Sequence, residues 1–249
     1  MKLSILQFCP VLENPESNKS TVERMTEEAV HSNPDLLLLP ELWSIGFFPK
    51  RISQFAEQPN GESIQFLCNL AKKYHINIVG GSLALWDGEE IRNTCPIIDR
   101  TGNLVQLISK AHLFSPAKEN RYFSAGKGAA PFSLDGHTCG TVICYDLRFP
   151  ELVRGLALHG TELFLLPAEW PMKRLTHFRT LLAARAIENQ IFVAAANGLG
   201  HSAILNPLGE ILAEAEEDES ILEADIDFSV RENLKKKSDV FLDRRTDLY

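Results

Sequence analysis

Four leucines in a row, Leu36 to Leu39, fill the gap between Asp35 and the pair Pro40-Glu41. A run this short and this uniformly apolar marks a strand buried on both faces, because a half-exposed strand would alternate with polar residues. A second run, Leu163 to Leu166, stops at Pro167. Strands of this kind lie in sheets covered by helices, so the chain must also supply helices for the outer faces. Asn18 to His31 carries helical spacing through Val22, Met25, Ala29 and Val30, with Asn14, Ser17 and Asn18 as cap candidates. Ser63 to Tyr74, Pro150 to His159 and Arg174 to Gln190 read as further helices.

The remaining strands are expected at Lys2 to Pro10, Ile76 to Leu85, Asn93 to Asp99, Leu104 to Lys110 and Thr138 to Cys144. In the second half they follow at Ile191 to Ala196, Ser202 to Leu205, Glu210 to Ala215 and Ile221 to Ile226. Both halves thus run strand, helix, buried strand, helix, then several strands. No Ser/Gly linker or shift in composition separates them, so residues 1–249 read as one domain. Two sheets packed on each other, with helices outside, give an α/β fold of the four-layer α-β-β-α sandwich type.

Charge and cysteine usage narrow the function. Acidic residues outnumber basic ones 33 to 25, a net charge of −8. The one basic run, Lys235-Lys236-Lys237, reads as the solvated end of a helix, so no nucleic-acid partner is expected. The N-terminus enters a strand pattern at once, with no secretory h-region, and no apolar run approaches the roughly 20 residues of a spanning helix. A cytoplasmic location without a membrane partner is the expectation. The five cysteines (9, 68, 95, 139 and 144) are odd in number and lack paired metal spacing. They read as reduced thiols, and neither metal nor other cofactor is expected.

Cys144 follows the apolar Thr141-Val142-Ile143 and precedes a helix starting near Pro150. A strand-to-helix turn can expose a nucleophile and offer backbone N–H groups to an oxyanion. A cysteine in that setting serves either as a small buried residue or as that nucleophile. Cys139, five residues earlier on the same expected strand, would face the other way. A nucleophilic thiol needs a base or a lowered pKa. Of the seven histidines, His112, His177 and His201 come nearest to suitable positions, but none stands in a cysteine-protease setting. Glu41 and Lys110 share the address of Cys144: each follows an apolar strand and opens a loop. Alone, either reads equally as half of a salt bridge; on near-parallel strands the three ends can converge at one rim.

Three segments carry a resemblance. Pro40-Glu41-Leu42-Trp43, Lys110-Ala111-His112-Leu113-Phe114 and Cys144-Tyr145-Asp146-Leu147-Arg148-Phe149-Pro150-Glu151 are similar to the signature segments of the carbon–nitrogen hydrolase (nitrilase) superfamily. They occur in the family's order, 69 residues (41 to 110) and 34 residues (110 to 144) apart. The likeness continues through Leu166 to Pro171, Ala184 to Gln190 and His201 to Gly209, and so covers nearly the whole chain. It implies an α-β-β-α sandwich and an amidase. Cys144 would be the nucleophile, Glu41 the general base and acid, and Lys110 the charged partner of the oxyanion beside the backbone N–H of Tyr145. Glu119 matches the family's second glutamate, and Arg148 would pair with a carboxylate to hold the turn.

The compact chain most resembles the branch acting on ω-amides of 2-oxo dicarboxylic acids, such as 2-oxoglutaramate. Trp170, Trp43 and Phe47 read as pocket walls or as packing. Lys173 and Arg174, with His177, read as partners for a substrate carboxylate or as a solvated helix start. Nitrile and N-carbamyl hydrolysis use the same three residues, so both stay open. A catalytically silent scaffold of the same fold and a redox thiol protein are the readings from other classes. The intact Glu41, Lys110 and Cys144 argue against the first, and the lack of a Cys-x-x-Cys pair against the second. Family members form homodimers or larger assemblies, and the polar stretch Val240 to Tyr249, with interspersed apolar residues, either crosses onto such a partner or covers its own chain.

Overall fold

The structure is a computed structural model that describes residues 1–47 and 51–248. Phe48 to Lys50, and Tyr249 of the C-terminal stretch, lie outside the described residues. In chain order the first half contains β1 (Lys2–Gln7), α1 (Pro15–Ala29), β2 (Leu36–Leu38), α2 (Ile52–Phe55), α3 (Glu62–Tyr74), β3 (Asn77–Val79), β4 (Leu83–Asp87), β5 (Glu90–Ile98) and β6 (Leu104–Ser109). The second contains β7 (Phe132–Leu134), β8 (His137–Thr141), α4 (Pro150–Leu158), β9 (Leu163–Ala168), α5 (Leu175–Asn189), β10 (Phe192–Asn197), β11 (Ala203–Leu205), β12 (Ile211–Glu214), β13 (Ser220–Asp225) and α6 (Ser229–Lys237).

Two sheets result. One runs β13-β1-β2-β3-β5-β4, with β6 also on β5; the other runs β12-β11-β10-β9-β8-β7. Strands β1, β2 and β3 are mutually parallel, as are β8, β9 and β10. The leucine run behaves as its composition requires. Leu36 and Leu38 enter the core shared with Leu163 to Leu166, while Leu37 and Leu39 turn onto Val22 and Met25 of α1 and Leu67 and Leu70 of α3. On the other side, Phe178 and Leu182 of α5 and Val153 of α4 close over the second sheet. Helix, sheet, sheet and helix therefore stack as expected.

Local chemistry sets the boundaries. Helix α1 starts earlier than its apolar spacing suggests, because Asn14 accepts a hydrogen bond from Ser17 N at 3.2 Å and Pro15 pre-sets the first turn. The expected single strand from Ile76 to Leu85 is two strands. Gly81 has φ +62 and turns the chain between β3 and β4, a conformation side chains resist. Strand β7, only three residues long, carries no pattern of its own and was not expected. The last strand, β13, pairs antiparallel with β1, so the two halves share one sheet. The C-terminal stretch covers its own chain as far as Phe241, which packs on the main core, whereas Leu242 is exposed. Lys235 to Lys237 form the last turn of α6, as their charge suggested.

The β3–β4 turn supports the segment carrying Glu41. Ser82 N donates to Pro40 O at 3.1 Å, and Leu42 N donates to Ser82 Oγ at 2.9 Å. A Cβ on Gly81 would stand 2.1 Å from Pro40 O and 2.7 Å from Trp43 Cδ1. Gly81→Ala must therefore move backbone as well as strain its own φ. It should cost about 2–4 kcal/mol in chemical denaturation, and any activity that depends on Glu41 should fall with it.

Candidate active site

Glu41 begins the turn after β2, and Glu169 the turn after β9 in the other sheet. Their backbones meet: Glu41 N donates to Ala168 O at 3.4 Å, and Glu169 N donates to Glu41 Oε2 at 3.1 Å. Parallel strands expose their carboxyl ends together, which is where such folds place ligands. Lys110 follows β6 and is anchored through its own backbone, its N–H on Asn93 O at 2.8 Å and its carbonyl accepting from Gly126 N at 2.7 Å. Its ammonium is wholly buried, 2.7 Å from Glu41 Oε1, 3.0 Å from Glu119 Oε1 and 2.9 Å from Glu119 Oε2. Asn93 Nδ2 bridges the two carboxylates, at 2.8 Å from Glu41 Oε1 and 3.3 Å from Glu119 Oε1. Glu119 Oε2 also accepts from Phe114 N at 2.5 Å.

Cys144 lies three residues beyond the end of β8, in a short helical turn from Cys144 to Arg148, not on the strand itself. Strand alternation therefore does not relate it to Cys139. Its φ is +47, a left-handed backbone that costs a side-chain-bearing residue about 1–2 kcal/mol. The turn is held by Asp146, which sequence reasoning left without a role. Its carboxylate accepts from Ile143 N (3.2 Å), Ala111 N (3.2 Å), His112 N (2.7 Å) and, at 2.9 Å, meets His112 Nδ1. One buried carboxylate thus ties the residues after Lys110 to the residues before Cys144. Glu41, Lys110, Glu119 and Cys144 all come together, with Tyr145 next in the turn.

The electrostatics follow from burial. Desolvation opposes the Lys110 charge, but Glu41, Cys144 and Glu119 outweigh it and hold the ammonium above the ordinary lysine range. The Cys144 thiol is pushed well above its usual value by burial, then by the Glu41 charge, and Lys110 offsets only part of this. It hydrogen-bonds Glu41 and faces the Glu169 N–H. The resting proton therefore sits on sulfur, beside a carboxylate able to take it. Burial and the Glu41 charge also raise Glu169 well above an ordinary carboxyl, and burial raises Glu119 despite Lys110.

A cavity of about 220 Å³ opens at Cys144. Phe47, Phe114, Tyr145, Trp170, Pro171 and Leu199 give it apolar walls, and Arg148, Arg174 and Glu169 add polar groups. Trp170, Phe47 and Arg174 thus stand where a pocket reading puts them. Trp43 and Lys173 do not. Trp43 is buried against Phe66 in the outer core, its Nε1 donating to Gly80 O at 2.8 Å, and Lys173 is exposed. Trp43 follows Leu42, whose φ is +46, and packs under the helices. Arg148 also differs from expectation. It makes no ion pair among the described residues; it lies 4.7 Å from the Trp170 ring centroid and 5.8 Å from that of Tyr145. Arg174 stacks on Phe114 at 5.6 Å and is likewise without an ion pair. Sequence reasoning missed Asn93 and the Glu169 side chain. The signal for Glu169 was present: a charge directly after a buried strand, the address of Glu41. Among the described residues no cluster of His, Cys, Asp and Glu has the arrangement of a metal site.

The family model for carbon–nitrogen hydrolases matches residues 2–236. The 2-oxoglutaramate amidase of Bacillus subtilis is 38% identical over 99% of this chain and 98% of its own. XC1258 of Xanthomonas campestris, a carbon–nitrogen hydrolase superfamily protein with an arsenic adduct in its active site, superposes with a TM-score of 0.92 at 27% identity, covering 99% of this chain and 97% of that one. The amidase of Nesterenkonia sp. AN1, in a mutant form whose active-site cysteine has added acrylamide, superposes with a TM-score of 0.84 at 26% identity, covering 100% and 98%.

Glu169 has a consequence for stability. Its folded pKa is raised, so the native state binds this proton more tightly than the unfolded chain does. The protein is therefore relieved of the burden at low pH and loses stability as pH rises above about 4.5, by ~1.4 kcal/mol per pH unit, until the folded carboxyl ionises. Glu169→Gln removes the titration. Its stability relative to wild type, followed by denaturant melts from acid to neutral pH, should rise by about that slope.

Proposed function

Since the chain belongs to the carbon–nitrogen hydrolase family, we propose that it is an amidase releasing ammonia from the ω-amide of a 2-oxo dicarboxylic acid such as 2-oxoglutaramate, with residues 1–249 forming one hydrolase domain. The observation that carries this reading is the cavity itself. Cys144 stands at one side of it beside the buried Glu41–Lys110 pair, and Arg148 and Arg174, without ion pairs among the described residues, stand in its wall. An amide carbon at Cys144 with a carboxylate on the arginines fits a short dicarboxylic ω-amide. The likeness to the 2-oxoglutaramate amidase supports the same choice.

In this reaction the Cys144 sulfur attacks the amide carbon as Glu41 takes the thiol proton. Lys110 and the Tyr145 N–H receive the charge that develops on the carbonyl oxygen. Glu41 returns a proton to the departing nitrogen, ammonia leaves, and a thioester remains. Glu41 then draws a proton from water as the water attacks the thioester, and the acid departs with the thiol restored. Lys110 keeps its proton throughout, since Glu41 and Glu119 hold it charged. Glu119 serves Lys110 and the loop at Phe114 and does not touch sulfur.

The cytoplasmic location we infer is supported by five cysteines that are all free; no helix among the described residues is long and apolar enough to cross a membrane. A second copy of the chain is the partner we infer. Ile187, Leu208 and Ile211 are exposed around Gly209, at the end of α5 and the β11–β12 turn, an apolar surface suited to self-association.

Ammonia release from 2-oxoglutaramate, glutamine, a short nitrile and an N-carbamyl amino acid tests the reading directly. Turnover should be fastest with 2-oxoglutaramate and absent in Cys144→Ala. Lys110→Met should lose about 10²- to 10³-fold in kcat. Arg148→Ala and Arg174→Ala should each raise KM about tenfold or more, as expected for a lost hydrogen bond to a charged group, with kcat much less affected. Preference for the nitrile or the N-carbamyl compound would overturn the substrate choice.

A further inference from the structure

The carboxyl of Glu169 has no part in the steps above, yet it sits in the site. Its backbone N–H holds Glu41 Oε2 and faces the Cys144 sulfur, and its side chain belongs to the cavity wall while being only 4% exposed. One oxygen, Oε1, is buried with no hydrogen-bond partner among the described residues. Buried polar atoms are rarely left so; Oε1 is itself sealed from solvent, and the carboxyl it belongs to lines the cavity short of a partner that a ligand could supply. The room for this oxygen is made by a missing side chain: a Cβ on Gly198 would stand 2.2 Å from Oε1.

We propose that Glu169 is a specificity-determining residue whose carboxyl donates a hydrogen bond to an acceptor oxygen at the substrate's 2-position, selecting 2-oxo amides over 2-amino amides; this rests on the substrate reading above. Burial and the Glu41 charge raise the Glu169 carboxyl well above the ordinary carboxylate range, which favours the protonated, donating form. The charged and titratable groups around it are Glu41 after β2, Cys9 after β1, Cys144 on its turn, and Arg148 and Arg174 across the cavity. A 2-oxo group meets this donor with a lone pair. An ammonium at the same carbon brings donors against a donor and a third positive charge beside two arginines. A site built to hydrogen-bond one group rejects an analogue that leaves its buried polar atom unpaired.

The test is the ratio of kcat/KM for 2-oxoglutaramate to that for glutamine, in wild type, Glu169→Gln and Glu169→Leu. Glu169→Gln, which retains a donor, should hold the ratio near the wild-type value and abolish any rise of KM as Glu169 ionises at higher pH. Glu169→Leu should reduce the ratio about tenfold, the worth of one hydrogen bond. Alkylation of Cys144 and a thermal melt show whether that variant is folded. If it is not, Gly198→Ala, whose methyl takes the place of Oε1, should show the same fall. A selective wild type whose ratio survives in Glu169→Leu or Gly198→Ala overturns the role of Glu169 alone. A wild type that hydrolyses glutamine as well as 2-oxoglutaramate overturns the substrate reading and this inference together.

Discussion

A lysine ammonium taken wholly out of water is the constraint around which the site is arranged. Removing one such charge from solvent costs several kcal/mol unless good partners surround it. Lys110 finds Glu41 and Glu119 within 3.0 Å, and Asn93 joins the two carboxylates from the far side. None of these groups is adjacent in sequence to the others. Glu41 and Lys110 follow the ends of β2 and β6, Asn93 lies within β5 and Glu119 in the loop beyond β6, so the charge is tolerable only where these elements keep their relative places. Loss of either carboxylate would leave the buried ammonium with a single acidic partner, and loss of the lysine would crowd two carboxyls together.

The same arrangement decides where protons rest. With Lys110 charged by its neighbours, the local field cannot also ionise the thiol, because burial and Glu41 outweigh the lysine at sulfur. The Cys144 sulfur thus rests as a neutral thiol beside a carboxylate, not as a standing thiolate. This suits the proposed reaction, in which Glu41 both accepts and returns a proton. It also keeps an exposed, oxidisable anion out of the cavity.

Much of this was legible in the sequence, and the failures have causes. The leucine run gave β2 and its double burial directly, because a strand without polar residues has nowhere else to go. The strand-end positions of Glu41, Lys110 and Cys144 gave the convergence, and the resemblance gave their grouping. Trp43 and Trp170 carried the same signal, an aromatic just past a buried strand, yet only Trp170 lines the cavity. Trp43 follows Leu42, whose φ is positive, and packs among the helices, a choice of side that no periodicity encodes. Gly80-Gly81 sat inside an apolar stretch and was read through, although Gly81 ends one strand and starts the next. Asn93, Asp146 and Glu169 act through partners distant in the chain, and a polar residue betrays such a role only once those partners are placed.

Strand β13 closes the first sheet against β1, and the Met1 amino group donates to Ile226 O at 3.1 Å. For a chain made from one end to the other this fixes a timetable. Strand β1 leaves the ribosome first but stays open along one edge until residues 220–225 follow it. Almost the whole protein must be synthesised before that sheet can be completed, and an unpaired edge of apolar residues waits meanwhile. Nascent chains of this kind call for a chaperone during translation more than after release, and stalling late in synthesis should harm them more than stalling early.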